Sequence, residues 1–179
     1  MRRLVYEVAT SLDGFIAGPL GEYDWIPMDP DIDFVAMAAR FDAVVMGRRS
    51  YEVAKRVDGG LVAGVATYVY SQTLPEGPLE GVTVVRDGLA HLRELKRQPG
   101  GDIWLWGGGE LFRACAQDGL VDDVELGVIP VLLGGGVPLF PPPGPRVPLR
   151  LRAHRVYPKT GTLMLEYEVT QRSTDLQMD

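Results

Sequence analysis

Two stretches hold residues whose types and spacing could do chemistry. In "VVMGRRSYEV" (44–53) an apolar run ends in Gly47 and is followed at once by Arg48 and Arg49. In "DIWLWGGGELF" (102–112) a second apolar run ends in three consecutive glycines, Gly107, Gly108 and Gly109, ahead of a segment with helical spacing. A buried strand that passes directly into a helix leaves the first N–H groups of that helix without partners, and they point beyond the carboxyl end of the strand, where an anion is favoured. Glycine lets a ligand come close to the backbone, and guanidinium forks suit phosphate oxygens. Taken alone, Arg48 and Arg49 also fit two solvated side chains on the first turn of a surface helix. Two such junctions in one small domain point to a dinucleotide lying across a sheet edge.

The elements that must hold these junctions are legible in the pattern. Short β-branched or aromatic runs bounded by Gly, Pro or Asp, "LVYEVA" (4–9), "DAVVMG" (42–47), "ATYVYS" (66–71), "GVTVVR" (81–86) and "DIWLWG" (102–107), read as buried strands. Between them, "DIDFVAMAARF" puts Ile32, Val35, Ala36 and Ala39 on one helical face, "LAHLRELKRQPGG" does so with Leu89, Leu92 and Leu95, and "ELFRACAQDG" with Leu111, Ala114 and Cys115. After Gly119 the pattern changes to "VDDVELGVIPVLL", "VPLRLRAHRVYP" and "GTLMLEYEVTQ", extended stretches separated by turn signals. The expectation is an α/β domain over residues 1–172 with a mixed, mostly parallel central sheet of about eight or more strands ending in antiparallel strands. A polar tail follows at 173–179. "FPPPGPRVP" (140–148) and the triple glycine at 134–136 read as loops. Neither glycine junction matches G-x-G-x-x-G, so the standard Rossmann fingerprint is absent.

Composition narrows the partner. The chain has 179 residues, 46% of them hydrophobic, which suffices for one buried core, and a formal net charge of −6. An acidic balance argues against nucleic acid or an anionic membrane surface, both of which reward a basic face, and leaves a small molecule. The sole cysteine, Cys115, reads as a buried helical thiol. The N-terminal apolar segment is short and interrupted by Glu7, fitting neither a signal peptide nor a membrane span, so a cytoplasmic protein is expected. No His/Cys spacing suggests a metal site, neither His91 nor His154 is a catalytic candidate, and Asp122-Asp123 reads as part of a loop.

Five blocks, "ATSLDGFIAG" (9–18), "VVMGRRSYEV" (44–53), "TYVYSQTL" (67–74), "IWLWGGGELF" (103–112) and "VDDVELGVIPVLLGGG" (121–136), together resemble the dihydrofolate-reductase-like superfamily, in the branch of the riboflavin-biosynthesis reductase domain. The resemblance covers roughly residues 3–170. It implies a three-layer α/β/α fold, NADPH as cofactor, and an NADPH-dependent oxidoreductase similar to 5-amino-6-(5-phosphoribosylamino)uracil reductase. It also implies site residues. Ala9 and Ile16 would border the nicotinamide, and Gly47, Arg48, Arg49 and Ser50 would bind phosphates, with Arg48 foremost for the 2′-phosphate. Ser71 would lie by the adenosine ribose, and Gly107, Gly108, Gly109, Glu110 and Leu111 would cradle the pyrophosphate.

The departures from that family matter equally. No basic residue stands in "GGLVAGVATYVYS", where dihydrofolate reductases hold the folate glutamate, and Leu105 and Trp106 replace the glutamate that precedes the glycines in riboflavin reductases. Both changes make the pocket more apolar, with Trp106 and Trp25 offered to a flat substrate, although Trp106 also fits a side chain that simply packs in the core. For the proton donor, counting back from Gly47 in the family pattern gives Asp31, with Asp33 if the helix is offset and Asp13 beside the ring. Asp31 and Asp33 also fit acids complementing a helix N-terminus, and Asp13 also fits a turn. The reading is hydride transfer to a small organic substrate. The alternatives are a non-catalytic NADPH-binding module and a folate or pterin reductase proper. The resemblance and the apolar late strands together imply a homodimer.

Overall fold

Residues 1–56, 61 and 64–170 are described by the computed structural model. The apolar runs become strands. In chain order the elements are β1 (Leu4–Ser11), β2 (Phe15–Ala17), α1 (Phe34–Ala38), β3 (Phe41–Gly47), α2 (Arg48–Ala54), β4 (Ala66–Tyr70), β5 (Gly77–Leu79), β6 (Val82–Val85), α3 (Gly88–Arg97), β7 (Asp102–Gly107), α4 (Gly109–Gln117), β8 (Asp123–Ile129), β9 (Val137–Pro138), β10 (Leu149–Tyr157) and β11 (Thr162–Val169). The polar tail at 173–179 lies outside the described residues.

Nine strands form one sheet in the order β10-β11-β8-β1-β7-β3-β4-β6-β5, and β2 pairs with β9 in a separate ribbon. From β8 to β6 all neighbours are parallel, whereas β5 at one edge and the β10–β11 hairpin at the other run antiparallel. The chain therefore ends as the turn-separated late stretches predict, with β11 inserted between β8 and β10.

Successive side chains of a strand point to opposite faces, so a strand buried on both sides must be apolar throughout, as "AVVM" in β3 is. On one face Leu4, Tyr6, Val45, Ile103 and Leu105 pack with Leu92 and Leu95 of α3 and Phe112 and Cys115 of α4. On the other, Val44, Met46, Val69 and Val84 pack with Tyr51 and Ala54 of α2. Helix α3 is capped by Asp87, whose carboxylate accepts from the Ala90 N–H, and stops before Pro99, while α4 closes at Gly119 with φ +67°. Cys115 is fully buried and its thiol is pushed up to about 12 by that burial.

Two expectations need correction. Helix α1 spans five residues and buries none of them; Val35 is 81% exposed, and Ile32, which is buried, precedes the helix. A helix this short cannot present the predicted four-residue apolar face. Asp123 is no loop residue either, since it opens β8 in a buried position and is met by Arg3 and Arg152. Its neighbour Asp122 accepts the Leu4 N–H at 2.6 Å and pairs with Lys96, whose ammonium is buried and also donates to the Leu120 carbonyl at 2.5 Å.

Lys96 thus ties the end of α3 to the segment entering β8. Lys96→Met keeps the apolar stem but leaves the Leu120 carbonyl and the Asp122 carboxylate short of a donor, so unfolding in urea should show a stability loss of about 2 kcal/mol with an unchanged m value.

Candidate active site

The carboxyl ends of β1, β7, β3 and β4 lie side by side in that order on one edge of the sheet. Four helices follow strands, and their starts differ. Asp33 and Asp87 cap α1 and α3 with their side chains, whereas α2 begins at Gly47 and α4 at Gly108, neither with a side-chain cap. The two uncapped starts belong to the adjacent strands β3 and β7, so among the described residues two sets of helix-start N–H groups have no side-chain cap. Ser50 brings them together: a Cβ on Gly107 would stand 3.4 Å from its hydroxyl oxygen and one on Gly108 3.6 Å. The Gly107–Gly108 peptide is cis, and Gly107 has φ +142°.

The glycines differ in what they make room for. A Cβ at Gly47 would meet nothing within 4 Å, so that backbone faces open space. A Cβ at Gly109 would come within 2.4 Å of the Pro138 carbonyl oxygen and 2.8 Å of the Pro141 ring, so Gly109 admits the 138–141 segment. Arg48 and Arg49 are exposed on the first turn of α2, Arg48 reaching Glu52 at 3.7 Å. Ser71 is buried just past β4, its hydroxyl accepting from the Thr73 and Leu74 N–H groups at 3.2 and 3.1 Å. Glu110 is exposed and paired with Arg113 at 2.5 Å, and the Leu111 side chain packs on the core. Ala9 sits near the end of β1 opposite Gly127 of β8, and Ile16 lies in β2.

The three expected carboxylates are occupied elsewhere. Asp13 accepts from the Ser11 hydroxyl at 2.6 Å and from the Leu133 and Gly134 N–H groups at 3.1 and 2.7 Å, which hold it below the usual carboxylate range, the reverse of what a proton donor requires. Asp31 pairs with Lys159 at 2.8 Å, and Asp33 accepts the Ala36 N–H at 2.9 Å. Asp29, 2% exposed, accepts the Asp31 N–H at 2.9 Å and the Thr160 hydroxyl at 2.7 Å, and is lowered chiefly by the latter.

A different carboxylate stands out. Glu7, in the middle of β1, lies directly opposite Glu125 of β8, which in turn lies opposite Glu166 of β11. Arg40 spans the first two, donating to both Glu125 oxygens at 3.0 and 2.5 Å and to Glu7 at 3.1 Å. Burial, with Glu125 adding to it, raises Glu7 to about 7. Its carbonyl accepts the Trp104 indole N–H at 3.0 Å, and Trp104 in turn meets Trp106 edge-on and stacks on Phe41. The sequence signal was a lone acid inside an apolar strand.

Of the two expected aromatic walls, Trp106 packs beside Trp104, and Trp25 donates to the Glu22 carbonyl at 3.2 Å; among the described residues no ring contact joins them. No group of three or more His, Cys, Asp or Glu that could hold a metal ion occurs among the described residues, and no described helix is long and apolar enough to cross a membrane. Cavities of about 400 and 730 Å³ lie away from this edge, beside β4–β6 and at the amino end of β8.

Known proteins resemble this chain in sequence and fold. The Bacillus subtilis (strain 168) protein YyaP is 34% identical over 178 residues, 93% of this chain and 94% of its own length. A protein of Shewanella sp. PV-4 assigned to riboflavin biosynthesis superposes with a TM-score of 0.82 at 27% identity, over 96% of this chain and 100% of that one. The Enterococcus faecalis dihydrofolate reductase, solved with NADP(H) and RAB-propyl, shares the fold at a TM-score of 0.71 and 19% identity, over 94% and 97% of the two chains. Residues 2–163 match the RibD C-terminal domain, and with a mostly parallel sheet that ends in antiparallel strands, the chain belongs to the RibD C-terminal domain family.

Proposed function

We propose that the protein is an NADPH-dependent oxidoreductase acting on a small organic molecule. The observation that carries this reading is the pair of uncapped helix starts at Gly47 and Gly108, side by side on β3 and β7, with the Ser50 hydroxyl of α2 beside Gly107 and Gly108. Membership of the RibD C-terminal domain family and the NADP(H) held by a dihydrofolate reductase of the same fold support it. The residues fit a dinucleotide: helix starts without a side-chain cap among the described residues, open space at Gly47, and two arginines beside it.

On this reading the cofactor lies across the ends of β1, β7, β3 and β4. Ala9 and Ile16 border its nicotinamide, and the N–H groups of Gly108, Gly109, Glu110 and Leu111 meet the diphosphate. Gly47, Arg48, Arg49 and Ser50 meet phosphate oxygens, Arg48 taking the 2′-phosphate after releasing Glu52, a surface pair that costs little to part. Ser71 lies on the adenosine side. The reduced nicotinamide supplies a hydride when bound; the chain orients it and keeps water from it, with Trp106 and Trp25 as apolar walls for the substrate. A non-catalytic NADPH-binding module is the second reading, favoured by the engagement of Asp13, Asp31 and Asp33 with other partners. The protein is further proposed to act as a homodimer joined through the face of β10 that presents Leu149, Leu151 and Val156, which are 42%, 49% and 58% exposed.

Calorimetric titration should give tighter binding of NADPH than of NADH by about 1.5–3 kcal/mol, with Arg48→Ala removing the difference and leaving NADH unchanged; equal affinities in the wild type would remove the 2′-phosphate assignment. The glycines should separate in the same assay. Gly108→Ala has room in the fold and should keep its melting temperature while losing cofactor, whereas Gly109→Ala collides with the 138–141 backbone and should melt lower. For the assembly, sedimentation should report a dimer that Leu151→Glu converts to monomer, and a monomeric wild type would end that part of the reading.

A further inference from the structure

The cluster around Glu7 has no part in the reading so far. Three carboxylates, Glu7, Glu125 and Glu166, occupy directly opposed positions on β1, β8 and β11, so all three share one face of the sheet, and one guanidinium, that of Arg40, serves the first two. The Glu7 and Glu125 side chains are only 11% and 12% exposed. Two carboxylates this close and this dry do not both ionise readily, and the geometry decides which keeps a proton. Glu125 takes both arms of the Arg40 fork, whereas Glu7 receives a single bond from one arm. Glu7, the less fully bonded of the two, is therefore the one that holds a proton more readily, in keeping with its raised position near neutrality.

Location gives this proton a use. Glu7 is two residues before Ala9 on the same face of β1, about 7 Å along the strand. On the β7 side, the Trp104 indole donates to the Glu7 backbone carbonyl, and Trp106 meets Trp104 edge-on. The charged groups that act most on it are Glu125, Arg40 and Glu166, and Asp123 on β8 and Arg155 on β10 share the same face of the sheet among the described residues.

We propose that Glu7 is the proton donor of the reductase, giving its carboxyl proton to the heteroatom of a C=N or C=O substrate whose carbon receives hydride. This rests on the reading of the protein as an NADPH-dependent oxidoreductase. The balance is one hydride from the reduced nicotinamide, which is left as NADP⁺, and one proton from Glu7. The Glu7 O–H bond breaks, an N–H or O–H bond forms on the product, and the new carboxylate is met by the Arg40 guanidinium already beside it. A water proton restores the acid through the exposed edge of the side chain.

The test has one part that needs no turnover. In the cofactor-free protein, infrared titration should show a protonated carboxyl band that disappears with a midpoint near 7, is missing in Glu7→Gln, and moves to higher pH in Arg40→Met, because the guanidinium favours the charged form. With NADPH and either 3,4-dihydroisoquinoline or benzaldehyde as probe, wild-type kcat/KM should fall tenfold per pH unit above that midpoint. Glu7→Gln should lose roughly 10²-fold or more of the rate and the pH dependence with it, while NADPH binding, followed by fluorescence, stays the same. A Glu7→Gln variant that turns over either probe like the wild type, or a wild type without the titrating band or without turnover of both probes, overturns the inference. Failure of NADPH to bind the wild type overturns the cofactor reading beneath it, and the two failures are told apart by the fluorescence arm.

Discussion

A helix that starts at the end of a buried parallel strand has N–H groups that nothing behind it can satisfy, and in this protein two such starts stand next to each other with no side chain to close them. Much of the architecture serves that juxtaposition. Strand β7 enters the sheet between β1 and β3, although both precede it in the chain, and only that insertion sets Gly108 beside Gly47. The two apolar cores, one on each face, fix the strands so that the edge is held from both sides. The 138–141 segment packs against Gly109 from the far side, which leaves the opposite side of the turn for Ser50 and whatever the donors bind.

The same sheet treats charge differently along its width. Where α2 covers it, around β3 and β4, the face is apolar; from β1 to β11 it carries Glu7, Glu125 and Glu166. Buried acids are tolerated only when paired or protonated, and here one arginine divides unequally between two of them. The cluster is therefore a place where ionisation is decided by geometry.

What was legible in the sequence follows from how local each feature is. The strands of the parallel core announce themselves as β-branched runs, and α3 and α4 as stripes of Leu92, Leu95 and Cys115 that are indeed buried. Helix α1 misled because alanines suit a helix whether or not anything covers it, and Val35 stayed in solvent. The glycine junctions could be read because the residues that make them are consecutive. The carboxylates could not: Asp31 is met by a lysine 128 positions away, Asp13 by backbone 120 and 121 positions away, and Glu7 by an arginine 33 positions on. No periodicity reports such meetings, so a charge inside β1 read only as an interruption.

Cys115 has a practical meaning beyond packing. As the sole cysteine of this sequence, fully buried between α4 and the sheet and with its thiol pushed up to about 12, it offers almost no thiolate to an alkylating reagent. A maleimide dye added to the native protein therefore finds a silent background. A cysteine engineered anywhere on the surface becomes the single handle for fluorophores, spin labels or surface attachment, with no need to delete the natural one first.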